Sequence, residues 1–289
     1  MTDYPPPSII TKVDVSNPGQ FFACCGLLEL ADRLWPGAEG WFVEDTGAFY
    51  VACDGTLDEF IDTFKTVEIH SSLTQDERAR LATLLSVPKA GLTPQDAQEK
   101  ERLRKMWQIE RLHVSGPFDL WLDWWRDDRG NRTELKTWAA KQMVAEMVLA
   151  MMAAIRGIPS HSLDEILFQP VQHDSLPFNF DSDLCGTGNA RDAGFSADTL
   201  GLKATYRPLL ELLAFIGLQR FRPNKTRAGE QFSYWVWTVP LPVMVAGAAA
   251  SGNLRLPNST EYRFQLFQRT QYMKAFLPAQ RHVRRPSHV

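Results

Sequence analysis

Cysteine is scarce in this chain, and its placement excludes most of what cysteine does in proteins. Four residues, Cys24, Cys25, Cys53 and Cys185, occur in 289. Two are adjacent and none forms a Cys-x-x-Cys pair, so neither a disulfide framework nor a thiol redox motif is spelled out. The six histidines are scattered without a His-x-x-x-His pair; no zinc site, and no other metal or cofactor, is expected. Long apolar runs are missing too. Pro240 to Ala250 is far shorter than the roughly 18 residues that span a bilayer. Met1 to Ser8 is polar and proline-rich rather than basic and then apolar, so no secretory signal is read there. A reduced, cytoplasmic protein without a membrane partner is expected. The chain also lacks a Gly-x-Ser-x-Gly elbow, the Gly-Lys-Ser/Thr ending of a phosphate-binding loop and a Gly-x-Gly-x-x-Gly fingerprint. These absences argue against a serine hydrolase and against ATP or NAD as ligands.

What remains is an ordinary globular composition, 44% hydrophobic and 22% charged, with chain enough for one large domain or two. The net charge of -3 hides a strong segregation. From residue 200 onward there are 13 Lys and Arg against three acids, Glu211, Glu230 and Glu261, a balance of +10. The first 199 residues hold the other 18 basic and 31 acidic side chains, a balance of -13. Much of the basic end is arginine, whose planar fork suits phosphate oxygens. A polyanionic partner is therefore expected at that end, against the plainer reading that it neutralises the acidic part within the fold.

The pattern reads as α+β. Ser8 to Val15 is a strand. Asn17 caps a helix with Pro18 at its first position, and that helix ends near Pro36-Gly37. Gly40 to Glu44 and Ala48 to Cys53 form a hairpin, and Leu57 to Val67 has helical spacing. A strand at Pro117 to Trp124 would complete a ferredoxin-like βαββαβ unit, interrupted by a charged helical insertion at about 71–112. Thr133 to Arg156 is read as one long helix. In the last third a helix over Tyr206 to Phe221, a strand over Gly229 to Val239, a helix over Pro242 to Ser251 and a strand over Tyr262 to Met273 echo the opening order. Both opening helices carry Ala-x-x-Gly-Leu, at Ala23 to Leu27 and Ala214 to Leu218. The expectation is a ferredoxin-like core, with duplication weighed against a coincidental match. Its parts are an N-terminal domain at 1–130, a helical segment with a glycine-rich loop at 131–200 and a basic α+β domain at 201–289.

Four places carry candidate chemistry. Asn179 to Leu200, with Gly186, Gly188, Arg191 and Gly194, is a polar loop able to turn backbone N–H groups toward phosphates. In Leu120 to Trp125, Trp121 and Asp123 share one strand face and Leu122 and Trp124 the other, so one tryptophan is offered for base stacking with Lys136 near it. Arg220, Arg222, Lys225 and Arg227, followed by Tyr234, Trp235 and Trp237, mix cations with aromatics as nucleic-acid grooves do. The tail from Arg281 to Val289 adds three arginines. The expected phosphate contacts are Arg220, Arg222, Lys225 and Arg227 first, then Arg191 and Lys136, with Arg269 and Lys274 completing the set. No catalytic residue is assigned, because His113, His161 and His173 have no evident partner in sequence. A metal-independent ribonuclease assembled only by folding stays open.

The strings NPGQFFACCGLLELA (Asn17 to Ala31), LDWW (Leu122 to Trp125), LKTWA (Leu135 to Ala139) and LQRFRP (Leu218 to Pro223) resemble the small Cas protein of type I-U (I-G) CRISPR systems, the former Dpsyc subtype. The resemblance runs over most of the chain. It implies a subunit, non-catalytic and Cascade-type, of an RNA-guided effector complex, with crRNA, target DNA and other CRISPR effector subunits as partners. Base pairing reads sequence in such complexes, and protein reads duplex shape and a short flanking motif. A Cas8-like subunit would meet that motif, although 289 residues are short for one. The alternatives are a crRNA-processing ribonuclease and a scaffold that contacts protein alone.

Overall fold

The structure is a computed structural model that describes residues 4–126, 133–139, 142–159, 162–173, 177–185, 204–226, 231–270 and 273–283. Strand β1 (Ile9–Lys12) leads into α1 (Pro18–Leu34). The Asn17 side chain accepts hydrogen bonds from the N–H groups of Gly19 and Gln20, and Pro18 needs no partner for the N–H it lacks. A hairpin follows, β2 (Glu39–Val43) and β3 (Ala48–Ala52), turning at Gly47 in the left-handed region. Helix α2 (Leu57–Thr66) begins on a Thr56–Glu59 capping box and buries Phe60, Ile61 and Phe64 at helical spacing. The insertion lies between β4 (Ile69–Ser71) and β5 (Leu112–Val114). It is a helical hairpin, α3 (Gln75–Ser86) and α4 (Pro94–Gln108), with a small separate core of Leu81, Leu84 and Leu103 that Met143 joins from outside the insertion.

The strand expected over Pro117 to Trp124 is shorter, β6 (Leu120–Leu122), and it joins a different sheet from β1. One sheet has the order β4-β5-β6, while β1, β3 and β2 pair antiparallel in that order. The long helix expected from Thr133 is also shortened: α5 spans Val144–Arg156. Leu135, Lys136, Thr137 and Trp138 are all buried. This stretch turns instead: Thr133 N–H bonds the Trp125 carbonyl, Lys136 N–H reaches back only three residues to the Thr133 carbonyl, and Ala139 N–H goes to the Gln142 side chain.

Next come α6 (Leu163–Phe168), β7 (Val171–His173), α7 (Ser182–Cys185), β8 (Ala204–Tyr206) and α8 (Pro208–Gly217). The last third adds β9 (Asn224–Lys225), β10 (Phe232–Val236), β11 (Leu241–Pro242), α9 (Val243–Ala250), β12 (Thr260–Phe264), β13 (Leu266–Thr270), β14 (Met273–Phe276) and β15 (Gln280–Arg281). A second four-stranded sheet runs β15-β12-β10-β9, and β11 crosses to pair with β2 at the edge of the first.

At the centre, α1 and α8 pack on each other with every residue from Pro18 to Ala31 and from Pro208 to Gly217 buried. Both helices start beside residues 180–183 and end where Arg220 meets Glu29, so they run in the same direction. Their crossing is at the two Ala-x-x-Gly-Leu strings. A Cβ on Gly26 would lie 2.0 Å from the Leu213 carbonyl oxygen, and one on Gly217 would lie 2.2 Å from that of Phe22. Only glycine lets the backbones approach this closely. Aromatic rings close the core: Phe21 stacks on Tyr234 at 4.2 Å and on Phe42 at 5.2 Å. One buried cluster runs from Ile9 to Ala279, so the stretches divided near residues 130 and 200 share a core. No helix among the described residues is long and apolar enough to cross a membrane.

Candidate nucleic-acid interface

The expected phosphate contacts are dispersed by folding. Arg220 is turned inward: its Nε and Nη2 both bond the carboxylate of Glu29, which is 3% exposed and also takes Arg33 at 2.8 Å. Burial pushes the Glu29 carboxyl up, but the hydrogen bonds and charges of Arg220 and Arg33 outweigh it and hold it below its ordinary value. Arg220 is thus occupied in joining α1 to the end of α8. Arg220→Ala is expected to cost about 2–3 kcal/mol in a denaturant titration. That is less than the roughly 3–5 kcal/mol for stranding a buried charge, because Arg33 remains. Unchanged stability would contradict the inward role.

Lys136 is also inside, 9% exposed, its Nζ 5.4 Å from the Trp138 ring centroid and 3.4 Å from the Ala139 carbonyl oxygen. It does not accompany Trp121 on an open face. Lys225 is exposed at the sheet edge and pairs with Glu134 at 2.8 Å. Arg222 is exposed and has no carboxylate partner among the described residues. Lys274 is half-buried on β14, opposite Gln268. Arg269 lies on β13, with its side chain outside the described residues, as are Arg191 and Arg227.

The tryptophan strand divides as alternation requires. Trp124 is buried and donates its Nε1–H to the Phe215 carbonyl at 2.8 Å. Trp121 is 52% exposed. Register places His70, His113 and Trp121 in one row across β4, β5 and β6, and the His113 ring stacks on Trp121 at 4.5 Å. His113 has a partner that sequence reading missed: Nε2 lies 2.7 Å from Asp119 Oδ1 across the β5–β6 turn. Asp119 sits in the left-handed region with φ 41°. Glu68 beside His70 and Asp123 beside Arg111 add carboxylates around this row.

The start of the loop read at Asn179 to Leu200 is an anchor, and residues 186–200 lie outside the described ones. Asn17 Nδ2 donates to Asp181 Oδ1 at 2.8 Å, and Arg207 bonds Asp181 at 2.9 Å and Asp183 at 3.2 Å. Glu211 Oε1 accepts from the N–H groups of Phe180 and Asp181, both at 3.0 Å. Burial raises the Asp181 carboxyl against the opposing pull of Asn17 and Arg207. Full burial pushes Glu211 up to about 8, so it holds its proton at neutral pH. The cluster ties residues 178–183 across the N-terminal ends of α1 and α8.

Two exposed cations lie instead along one margin of the β15-β12-β10-β9 sheet: Arg255 over Trp235 on the outer face, and Arg281 on the edge strand, opposite Tyr262. Trp235 stands opposite Glu261, and the His282 N–H bonds the Glu261 carbonyl at 2.7 Å, so all three belong to one row. Tyr234 and Tyr262, one residue along, pack in the core. The Arg255 guanidinium lies 5.8 Å from the Trp235 ring centroid. Arg281 borders both the pocket formed here, about 370 Å³, and a neighbouring cleft of about 630 Å³ under Tyr4 and Trp41. The one acid in the row, Glu261, is tied to Arg263 at 2.7 Å. Arg255 and Arg281 have no carboxylate partner among the described residues.

No protein-family model, curated protein or solved structure matches this chain. The geometry of these side chains therefore carries the functional reading. Arg255, Arg281 and Trp235 were legible in sequence only as members of a basic, aromatic-rich third; their meeting depends on strand register and on the turn after α9.

Proposed function

We propose that the chain is a non-catalytic subunit, cytoplasmic and Cascade-type, of an RNA-guided CRISPR effector complex. It binds crRNA, target DNA or both through its basic C-terminal third and contacts other effector subunits. The observation that carries this reading is the set of exposed cations without carboxylate partners among the described residues, Arg222, Arg255 and Arg281, in the part of the chain with a balance of +10. Phosphate contacts of this kind supply most sequence-independent affinity. The likeness of the NPGQFFACCGLLELA, LDWW, LKTWA and LQRFRP strings to the small Cas protein adds the RNA-guided setting. A ferredoxin-like ancestry for the fold goes with it, supported by the antiparallel order β1-β3-β2 and by the recurrence of Ala-x-x-Gly-Leu in α1 and α8.

A tagged copy purified from cells that express it with its neighbouring genes tests the proposal. Recovery of a discrete guide-length RNA with several protein partners is the expected result; a chain recovered alone and free of nucleic acid overturns it. Arg222→Glu is expected to lower affinity, and each phosphate contact removed lowers the slope of log affinity against log salt by about one unit. Unchanged affinity would leave a scaffold that touches protein alone. The second reading, a metal-independent crRNA-processing endoribonuclease, is favoured by the His113–Asp119 pair at 2.7 Å. Cleavage of repeat RNA by the same preparation, abolished in His113→Ala, would establish it.

A further inference from the structure

Resting on the nucleic-acid reading, we propose that the pocket beside Trp235 holds one unpaired nucleotide of a single strand. Its base lies against the indole, and its phosphate meets Arg255 and Arg281. The pocket is built by the fold rather than by side chains meeting in solvent. Trp235 projects from the outer face of β10, and the turn after α9 closes over it at Gly252. That residue has φ 73°, and a Cβ there would come within 2.5 Å of the Trp235 Nε1. Glycine is required on both counts. The indole is thereby seated firmly while part of it faces the pocket.

The chemistry of the walls selects the ligand. Arg255, Arg281, His282 and Ser259 line the pocket beside the indole, and the carboxylate of Glu261 is occupied by Arg263. A cationic ligand would meet two guanidinium groups that have no carboxylate partner among the described residues, and an uncharged apolar one would leave that charge uncompensated. An aromatic anion satisfies both walls, and a nucleotide is the anion that joins a flat ring to a phosphate. The volume of about 370 Å³ is at the lower end for ligand pockets, which suits one base rather than a duplex. A paired base is held within its stack and cannot enter; an unpaired one stacks on an aromatic side chain irrespective of its identity.

The test is fluorescence anisotropy with three labelled probes of equal length: an oligouridine RNA, an oligothymidine DNA and a mixed-sequence duplex DNA. Trp235→Ala is expected to weaken binding of at least one single strand tenfold or more and duplex binding less than twofold. The strand that shows the loss is the one the pocket takes. Trp235→Phe is expected to recover most of the affinity, and Trp235→Leu, which fills the site without an aromatic face, replaces the alanine variant should that one fail to fold, with the same loss expected. Arg281→Ala is expected to reduce the salt slope for the same strand by about one unit. Single-strand binding unchanged in Trp235→Ala, or equal losses on strand and duplex, overturns the pocket assignment. If Arg222→Glu still weakens binding in that case, the wider nucleic-acid reading survives without the pocket. If the wild-type protein binds none of the three probes, both fail.

Discussion

Introducing a methyl group at Gly26 or Gly217 is expected to unfold the protein or bring it close to unfolding. The Cβ of alanine would stand 2.0 Å from the Leu213 carbonyl oxygen in the first case and 2.2 Å from that of Phe22 in the second. Both obstructions are backbone atoms inside helices, so no side-chain rotation relieves them. The two helices would have to separate, opening the contact between segments in which every residue is buried. The loss is expected at or above about 3 kcal/mol, the upper end of ordinary overpacking. Gly157→Ala is the control: that glycine has φ -82°, and its Cβ would meet nothing closer than 3.5 Å. It is expected to stay within about 0.5 kcal/mol of the wild type. Urea titrations of the three variants check the claim, and a Gly26→Ala protein that unfolds with the wild type would refute the close helix crossing.

Glu211→Gln is expected to change how stability depends on pH. In the folded protein Glu211 keeps its proton up to about pH 8, against an ordinary value of 4.5. Between those values the unfolded chain binds fewer protons than the folded one, so stability falls as pH rises. This contribution is fully present below pH 4.5 and gone above pH 8. Glutamine imitates the protonated acid and does not titrate. Its Oε1 is placed to accept the same N–H bonds from Phe180 and Asp181. The difference in stability between variant and wild type is therefore expected to shift in favour of the variant by about 1.4 kcal/mol per pH unit across that window. Any cost of the amide's extra N–H, where Oε2 has no partner, is a pH-independent offset, so the slope is diagnostic. Asp181, Asp183 and Arg207 face the same cluster in both proteins and largely cancel. Parallel curves from denaturation at pH 5, 6, 7 and 8 would show that Glu211 is ionised in the folded state.

Local elements were legible where a single segment carries its own instructions. The Asn17-Pro18 start of α1, the hairpin about Gly47, the helical spacing from Leu57 and the helical insertion each depend on capping groups, turn residues or periodicity a few positions apart. The segment from Leu135 to Trp138 misled because its period resembles a helix, whereas the flanking backbone groups are taken by other partners, Thr133 N–H by the Trp125 carbonyl and Ala139 N–H by the Gln142 side chain. The candidate interface divided in the same way. The segregation of charge pointed to the C-terminal third, yet it did not distinguish Arg220, which is drawn onto Glu29 from 191 positions away, from Arg222, which faces solvent two residues later.

The amino-acid sequence by itself determined the α+β composition, the starts of α1, α2, α8 and α9 to within two residues, the separation of an acidic from a basic part and the two glycines at matching positions. These follow from properties that act over a few residues or by simple summation. Tertiary structure alone decided that Gly26 and Gly217 meet and that β6 leaves the β1 sheet. It also decided that His113 finds Asp119, and that Trp235, Arg255 and Arg281 surround one pocket. Each of these rests on strand register or on helix contact between segments far apart in the chain. A strand shifted by one residue turns its side chains to the opposite face, and no local pattern encodes which distant carboxylate an arginine will reach.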